Sequence, residues 1–85
     1  MYYAYMVRCV DGSLYTGWSI DVQKRVVVHN SGRGAKYTRT RRPVTLVWSE
    51  AFPTQHEAMH WEYVIKQWPR DKKERLIHVR KTGSL

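Results

Sequence analysis

The chain has 85 residues, of which 42% are hydrophobic and 13% aromatic, which is enough for one small folded domain. Its formal net charge of +8 favours a polyanionic partner, nucleic acid first, over a merely soluble basic protein. The one cysteine, Cys9, excludes an internal disulfide and fits a reducing, cytoplasmic setting. Residues 1–10 lack a signal-peptide pattern, and no stretch approaches the roughly 18 apolar residues of a membrane span, so we expect no membrane association.

The predicted elements follow the order β-β-α-β-α-α. Residues of high β-propensity around Asp11-Gly12 indicate a hairpin at the start of the chain. Capping residues with helical spacing indicate one helix after this hairpin and two helices after Pro53. An apolar stretch between the first two helices indicates a strand that is covered on both faces. The predicted strands are 2–10, 13–18 and 43–52, the helices are 21–30, 54–68 and 70–80, and one domain spans 1–80 with a frayed tail at 81–85.

A basic loop, SGRGAKYTRTRRP, fills positions 31–43. Guanidinium groups bind phosphate oxygens and an aromatic ring can stack on a base, so we favour nucleic-acid binding over a merely solvated charged loop. The segment GRGAK lacks the spacing and the Lys-Ser/Thr ending of a Walker loop. The candidate nucleic-acid-binding residues are Arg33, Lys36, Tyr37, Arg39, Arg41 and Arg42.

The segment HEAMH at 56–60 matches the HExxH pattern of zinc proteases, in which two histidines bind Zn²⁺ and the glutamate acts as a base. We disfavour this interpretation because His56 falls in the first turn of the predicted helix. Glu57 also has the capping-box spacing from Thr54. A third ligand is not obvious, although His78 is conceivable.

Glu62 lies at the edge of the apolar stripe of the predicted helix 54–68, in a chain with only seven carboxylates. Two roles are equally compatible with this position. One is an ion pair with an arginine such as Arg25 or Arg75. The other is the oxygen ligand of a Mg²⁺ ion that also holds a phosphate.

Four further residues have either a chemical or a purely structural interpretation. Arg25 and His29 share one face of the first helix, as site residues or as a basic stripe facing solvent. Tyr5 and Tyr15 are either ordinary packing residues of the strands or residues that take part in the reaction. A tyrosine that acts as a base needs its pKa lowered from about 10, which nearby cations would do.

Taken together, these residues resemble the GIY-YIG nuclease family. The two motifs appear as Tyr3-Ala4-Tyr5 and Tyr15-Thr16-Gly17, and the resemblance covers about 2–78. The stretches DGSLYTG, HNSGRGAKYTRTRRP and EAMHWEY are similar to the small stand-alone bacterial members and to the nuclease domain of structure-specific endonucleases. The resemblance implies an α+β fold in which a small three-stranded antiparallel sheet is flanked by three helices. The ordered set that carries it is Tyr5, Tyr15, Arg25, His29, Tyr37 and Glu62.

The activity implied by the resemblance is hydrolysis of DNA phosphodiester bonds with one Mg²⁺ or Mn²⁺ ion, on branched or damaged DNA. Tyr15 would orient and deprotonate the attacking water, or relay its proton, and His29 would take the proton onward. Arg25 would neutralise charge on the five-coordinate phosphorus. Glu62 would hold the metal, and Tyr5 would contact the phosphate or the water.

The chain departs from the family pattern at two places. Several members have an asparagine on the last helix, where this chain has Lys72, Lys73 and Glu74, and some have a lysine where this chain has Trp18 and Ser19. A second DNA-binding domain is also not recognised, so we expect a protein partner for targeting. These departures motivate the alternative function, a non-catalytic nucleic-acid-binding module, and RNA is kept as an alternative to DNA.

The hairpin turn decides whether Tyr5 and Tyr15 share one face of the sheet. A two-residue turn would pair Tyr15 with Arg8 and direct Tyr5 to the opposite face, because side chains alternate along a strand. We predict instead a three-residue loop with a bulge, which we expect to pair Tyr15 with Cys9 on the face of Tyr5.

Overall fold

Three antiparallel strands in the order β2-β1-β3 form the sheet of the computed structural model, which describes residues 1–81. The α+β class and the three-stranded antiparallel sheet are confirmed. No helix in the described part of the chain is both long and apolar enough to cross a membrane. The strands are β1 (Tyr2–Arg8), β2 (Leu14–Ser19) and β3 (Thr45–Phe52), and the helices are α1 (Val22–Asn30), α2 (Lys36–Arg39), α3 (Gln55–Lys66) and α4 (Arg70–Lys81).

The short helix α2 was not predicted, so four helices flank the sheet in the described part of the chain, where we expected three. It begins after Ala35, whose carbonyl accepts the N–H of Thr38 at 3.0 Å and the N–H of Arg39 at 3.2 Å. The one buried residue of this helix is the polar Thr38. Apolar periodicity therefore could not indicate a helix within the basic loop.

The last helix also differs slightly from the prediction. We expected a helix over 70–80 and a frayed tail at 81–85, whereas α4 continues to Lys81. The rest of the predicted tail, 82–85, lies outside the described residues.

Both faces of the sheet are covered. On one face Ala4 and Met6 of β1 pack with residues of β3, α3 and α4, and on the other face Tyr5 and Val7 pack with residues of α1 and the loop before β3. The strand β3 contributes to both faces, as predicted for 43–52. The buried partners are Trp48, Ile65 and Ile77 on the first face and Cys9, Val22 and Val44 on the second.

The turn between β1 and β2 is the predicted three-residue bulged loop. The N–H of Cys9 donates to the carbonyl of Ser13 at 2.8 Å, and the N–H of Gly12 donates to the carbonyl of Cys9 at 2.9 Å. Gly12 has a φ of 87°, the left-handed conformation that ends such a loop and that glycine adopts without steric cost.

The pairing expected from this loop was wrong by two positions. Tyr15 lies opposite Val7, not opposite Cys9, because a three-residue loop places Cys9 opposite Ser13. The shift is an even number of residues, so it does not change the face of the sheet. Tyr5 and Tyr15 therefore project from the same face, which is what the prediction required.

An ion-pair network holds the hairpin turn against α4. The guanidinium of Arg8 donates to both carboxylate oxygens of Glu74, at 2.8 and 2.7 Å. The carbonyl of Gly12 accepts from Arg8 at 3.3 Å and from Arg70 at 2.8 Å. Glu74 occupies one of the positions where we noted a departure from the family, and its carboxylate is engaged in this structural contact.

We expect Glu74→Gln to lower the free energy of unfolding by about 1 kcal/mol at pH 7, because it removes a bidentate pair at a partly exposed site. The hydrogen bond from Arg8 lowers the pKa of Glu74 below its usual 4.5. Its contribution to stability is therefore complete above pH 4.5 and is lost as the pH falls through the lowered pKa. Urea unfolding at pH 7 and at acid pH measures the difference.

Arg75→Gln is the matched control on the same helix. It breaks the Asp71–Arg75 pair, whose side chains are 73% and 69% exposed, so the change should stay within about 0.5 kcal/mol. An equal loss in the two variants would contradict the role assigned to Glu74.

Candidate active site

The five predicted catalytic residues come together from four elements. All of them lie around the hydroxyl of Tyr5. This hydroxyl is hydrogen-bonded to His29, and the side chains of Arg25, Tyr15 and Glu62 influence its pKa. The ordered motifs of the sequence thus correspond to one cluster in space. The cluster is made by Tyr5 of β1, Tyr15 of β2, Arg25 and His29 of α1, and Glu62 of α3.

His29 is fully buried, and both of its ring nitrogens have partners. Nε2 lies 2.7 Å from the hydroxyl oxygen of Tyr5, and Nδ1 lies 2.9 Å from Oγ1 of Thr38. A buried imidazole without such partners would be costly, so these two contacts fix the position of the ring.

The pKa values of Tyr5 and His29 show which of the two carries the proton of their hydrogen bond. Burial raises the pKa of Tyr5 to about 12 and outweighs the lowering by Arg25. The expectation that nearby cations would favour a phenolate is therefore wrong for Tyr5. Burial, followed by the charge of Arg25, lowers the pKa of His29 below its usual 6.5. At neutral pH a protonated Tyr5 therefore donates to a neutral His29.

Tyr15 contacts His29 through its ring. The ring centroids are 5.3 Å apart with an interplanar angle of 66°, an edge-to-face arrangement. The ring of Tyr15 also stacks with that of Tyr37 at 6.2 Å, and Nζ of Lys66 lies 5.8 Å from its centroid. The half-buried Tyr15 is thus the more accessible of the two motif tyrosines.

Two glycines leave room for the buried side chains of Tyr5 and His29. A Cβ atom on Gly17 would lie 2.6 Å from the hydroxyl oxygen of Tyr5, and one on Gly34 would lie 2.8 Å from Cα of His29 and overlap its ring. Gly34 and Thr38 were missed by the sequence analysis. The available signal was a glycine and a threonine placed four positions apart within a loop of large basic residues.

Glu62 is paired with a lysine. Its side chain is 18% exposed, and Oε2 lies 2.8 Å from Nζ of Lys66. Within residues 1–81 its ion-pair partner is neither Arg25 nor Arg75, so the arginine pairing that we considered is wrong. Lys66 was also missed, although its spacing of four residues from Glu62 is the usual one for a pair on a helix.

The fit of a metal to this cluster depends on Glu62. Mg²⁺ is commonly held by one or two carboxylates together with water and substrate phosphates, so the single carboxylate of Glu62 fits the protein's share of such a site. The described residues contain no group of three or more His, Cys, Asp or Glu side chains that could hold a metal. His56 and His60 are both exposed on α3, which leaves the HEAMH segment without the ligand set of a zinc protease.

The cations of the basic loop divide into two groups. Arg33 and Lys36 are exposed, and within residues 1–81 their side chains form no hydrogen bond or ion pair. The other three hold the loop together: Arg41 contacts the hairpin turn at Asp11 (3.2 Å) and the ring of Tyr37 (3.9 Å), Arg42 donates to the carbonyl of Arg39 (3.0 Å), and Arg39 donates to that of Gly34 (3.4 Å). That the five cations of this loop contact phosphate stays a prediction.

Residues 1–75 match the family model of the GIY-YIG catalytic domain, and the chain belongs to the GIY-YIG family. The resemblance noted from the sequence is therefore confirmed.

The chain is similar to small bacterial UPF0213 proteins, whose names state no activity. It is 55% identical over 76 residues to a UPF0213 protein of Bacillus pumilus, covering 89% of this chain and 78% of that protein. It is 51% identical to the UPF0213 protein BH0048 of Bacillus halodurans, whose solution NMR structure matches with a TM-score of 0.60 over 93% of this chain and 85% of that one. The NMR structure of protein EF2693 of E. faecalis matches at 39% identity with a TM-score of 0.63, over 96% and 88% of the two chains.

Acidification should destabilise the protein through His29. Because its folded pKa lies below 6.5, the unfolded chain takes up the proton first. The stability contribution is complete above pH 6.5 and is lost as the pH falls towards the lowered pKa, with a slope of at most about 1.4 kcal/mol per pH unit. Urea unfolding between pH 7.5 and 5.5 measures this slope. His29→Gln, whose amide does not titrate, should show a shallower dependence, and parallel curves would contradict the assignment.

Proposed function

We propose that this chain is a metal-dependent endonuclease that hydrolyses DNA phosphodiester bonds within the cytoplasm. The observation that carries the proposal is the buried hydrogen bond between Tyr5 and His29, 2.7 Å long, beside Arg25 and Glu62. Membership of the GIY-YIG family supports a nuclease-type activity, and the charge of +8 suits a nucleic-acid substrate.

The Tyr5–His29 pair provides a route for the proton of the attacking water. Tyr5 accepts this proton as it gives its own to Nε2 of His29, so neither residue needs to start as an anion. The water oxygen forms the new bond to phosphorus while the bond to the leaving sugar oxygen breaks, and that oxygen takes a proton from solvent. Nε2 of His29 is bonded to the Tyr5 hydroxyl, so the proton reaches His29 through Tyr5; both side chains are buried, at 0% and 1% exposure. Tyr15, the more accessible tyrosine, orients the water.

Arg25 and Glu62 provide the charges that the phosphate needs. Arg25 is half-buried beside the Tyr5 hydroxyl and stabilises the negative charge that develops on the phosphoryl oxygens. Glu62 is the residue that would hold Mg²⁺ or Mn²⁺. When bound, this ion supplies Lewis-acid stabilisation of the leaving oxygen.

The basic loop is where we propose that the DNA backbone lies. Arg33 and Lys36 are its exposed cations without internal partners among residues 1–81, and they are the first candidates for phosphate contacts. Arg39, Arg41 and Arg42 shape the loop and add to its positive potential. The substrates to test first are branched or damaged DNA, and targeting to them would involve a protein partner.

The test is a cleavage assay on branched, flapped and linear DNA with Mg²⁺ or Mn²⁺. We expect Glu62→Gln and Tyr5→Phe to reduce the cleavage rate by about 10²-fold or more, because the first removes the proposed metal ligand and the second removes the hydroxyl that accepts the proton of the water. Tyr15→Phe should also lower the rate. Gel analysis of end-labelled DNA measures the cleavage.

Glu57→Gln is the matched control, since it neutralises an exposed carboxylate on the same helix while keeping a side chain that can serve the capping box. The proposal is wrong if Glu62→Gln and Tyr5→Phe cut as fast as wild type. Salt-sensitive binding without cleavage of any substrate would instead support a non-catalytic nucleic-acid-binding module, and the same assay with RNA decides between the two nucleic acids.

Lys66 should compete with the metal for Glu62, because its ammonium lies 2.8 Å from Oε2. We expect Lys66→Met to bind Mn²⁺ about 3- to 10-fold more tightly than wild type, since the carboxylate no longer has a fixed cation beside it. Titration followed by the electron paramagnetic resonance of free Mn²⁺ measures the affinity without any DNA.

Lys73→Met removes the same charge from α4 and should leave Mn²⁺ affinity unchanged. Equal tightening in both variants would show only the lower net charge of the protein. Unchanged affinity in Lys66→Met would show that the metal is not held by Glu62.

A further inference from the structure

We propose that Thr38 is a positioning residue that selects the tautomer of His29 on which proton transfer depends. Its catalytic consequence rests on the proposed function, whereas the selection of the tautomer does not. Thr38 belongs to the short helix α2, and no motif of the sequence assigns it a role.

The direction of the hydrogen bonds follows from the carbonyl of Ala35. Oγ1 of Thr38 lies 2.9 Å from that oxygen and 2.9 Å from Nδ1 of His29. A carbonyl oxygen can only accept, so in the Thr38–Ala35 bond the hydroxyl donates its single proton to a carbonyl that also accepts the N–H groups of Thr38 and Arg39. With this proton directed to Ala35, Thr38 faces His29 as an acceptor, and Nδ1 carries the hydrogen of their bond.

A neutral imidazole carries one hydrogen, so Nε2 of His29 is left as the acceptor. This is the nitrogen 2.7 Å from the hydroxyl of Tyr5. The chain of donors thus runs from Tyr5 to His29, from His29 to Thr38, and from Thr38 to Ala35. In the other tautomer Nε2 would donate to Tyr5 and could not accept a proton from it.

The hydroxyl of Thr38 is also a suitable partner for a histidine that acts as a base. A carboxylate at the position of Oγ1 would favour the imidazolium form of His29, whereas a neutral hydroxyl orients the ring without adding a charge. Thr38 and His29 are both 0% exposed, so water does not replace either contact. Gly34, on the same loop, approaches the ring of His29 too closely to allow a Cβ atom.

The test is to read the tautomer of His29 by NMR in protein labelled with ¹⁵N-histidine. Wild type should show hydrogen on Nδ1 at neutral pH. Thr38→Val keeps the shape and removes the hydroxyl, so the Nε2–H form should gain population. Thr38→Ser keeps the hydroxyl and should match wild type. In the cleavage assay Thr38→Val should lower kcat by about 10²-fold with little change in KM, and Thr38→Ser should restore it.

The outcomes separate this inference from the proposed function. Hydrogen on Nε2 in wild type, or an unchanged tautomer in folded Thr38→Val, overturns the role of Thr38. A tautomer that shifts as expected in a protein that cuts no DNA supports this role and counts against the nuclease. If Thr38→Val does not fold, the wild-type and Thr38→Ser spectra still decide the tautomer.

Discussion

The buried imidazole of His29 joins three parts of the chain that are distant in sequence. Its Nε2 contacts Tyr5, 24 positions earlier, and its Nδ1 contacts Thr38, nine positions later. Since an unpaired polar group in the interior is costly, these bonds hold β1, α1 and α2 in one arrangement. The close approach of Gly34 and the placement of the Tyr5 hydroxyl over Gly17 both follow from it. The same contacts that satisfy a buried side chain therefore arrange the groups proposed to move a proton.

The hairpin adds a second constraint, which acts through strand geometry. Its bulged loop gives a register in which Tyr15 shares a face with Tyr5, and a shift by one residue would separate them. Arg8, Arg70 and Glu74 hold this turn against α4. Glu74 lies where this chain departs from the family pattern. Its contacts support the geometry of the site, although its side chain is not part of the site.

Fewer charged side chains are available to bind a partner than the net charge of +8 suggests. Three of the five cations in the basic loop bind backbone carbonyls or the hairpin turn, and Arg33 and Lys36 are the ones left exposed without internal partners in the described chain. Glu62 is likewise occupied by Lys66. Counting charged residues in a sequence therefore overestimates the groups that are ready to bind a phosphate or a metal.

The sequence alone determined the α+β class, the order of the main elements and the residues of the cluster, because strand alternation, helix caps and an ordered set of motif residues are local signals. It also predicted the bulged turn, because Tyr5 and Tyr15 share one face of the sheet only if the Asp-Gly turn contains an extra residue. Only the tertiary structure decided that Tyr15 pairs with Val7, that Lys66 rather than an arginine holds Glu62, and that Thr38 supports His29. The physical reason is that periodicity shows which side chains turn inward, whereas the partner of a buried polar group depends on how separate elements pack.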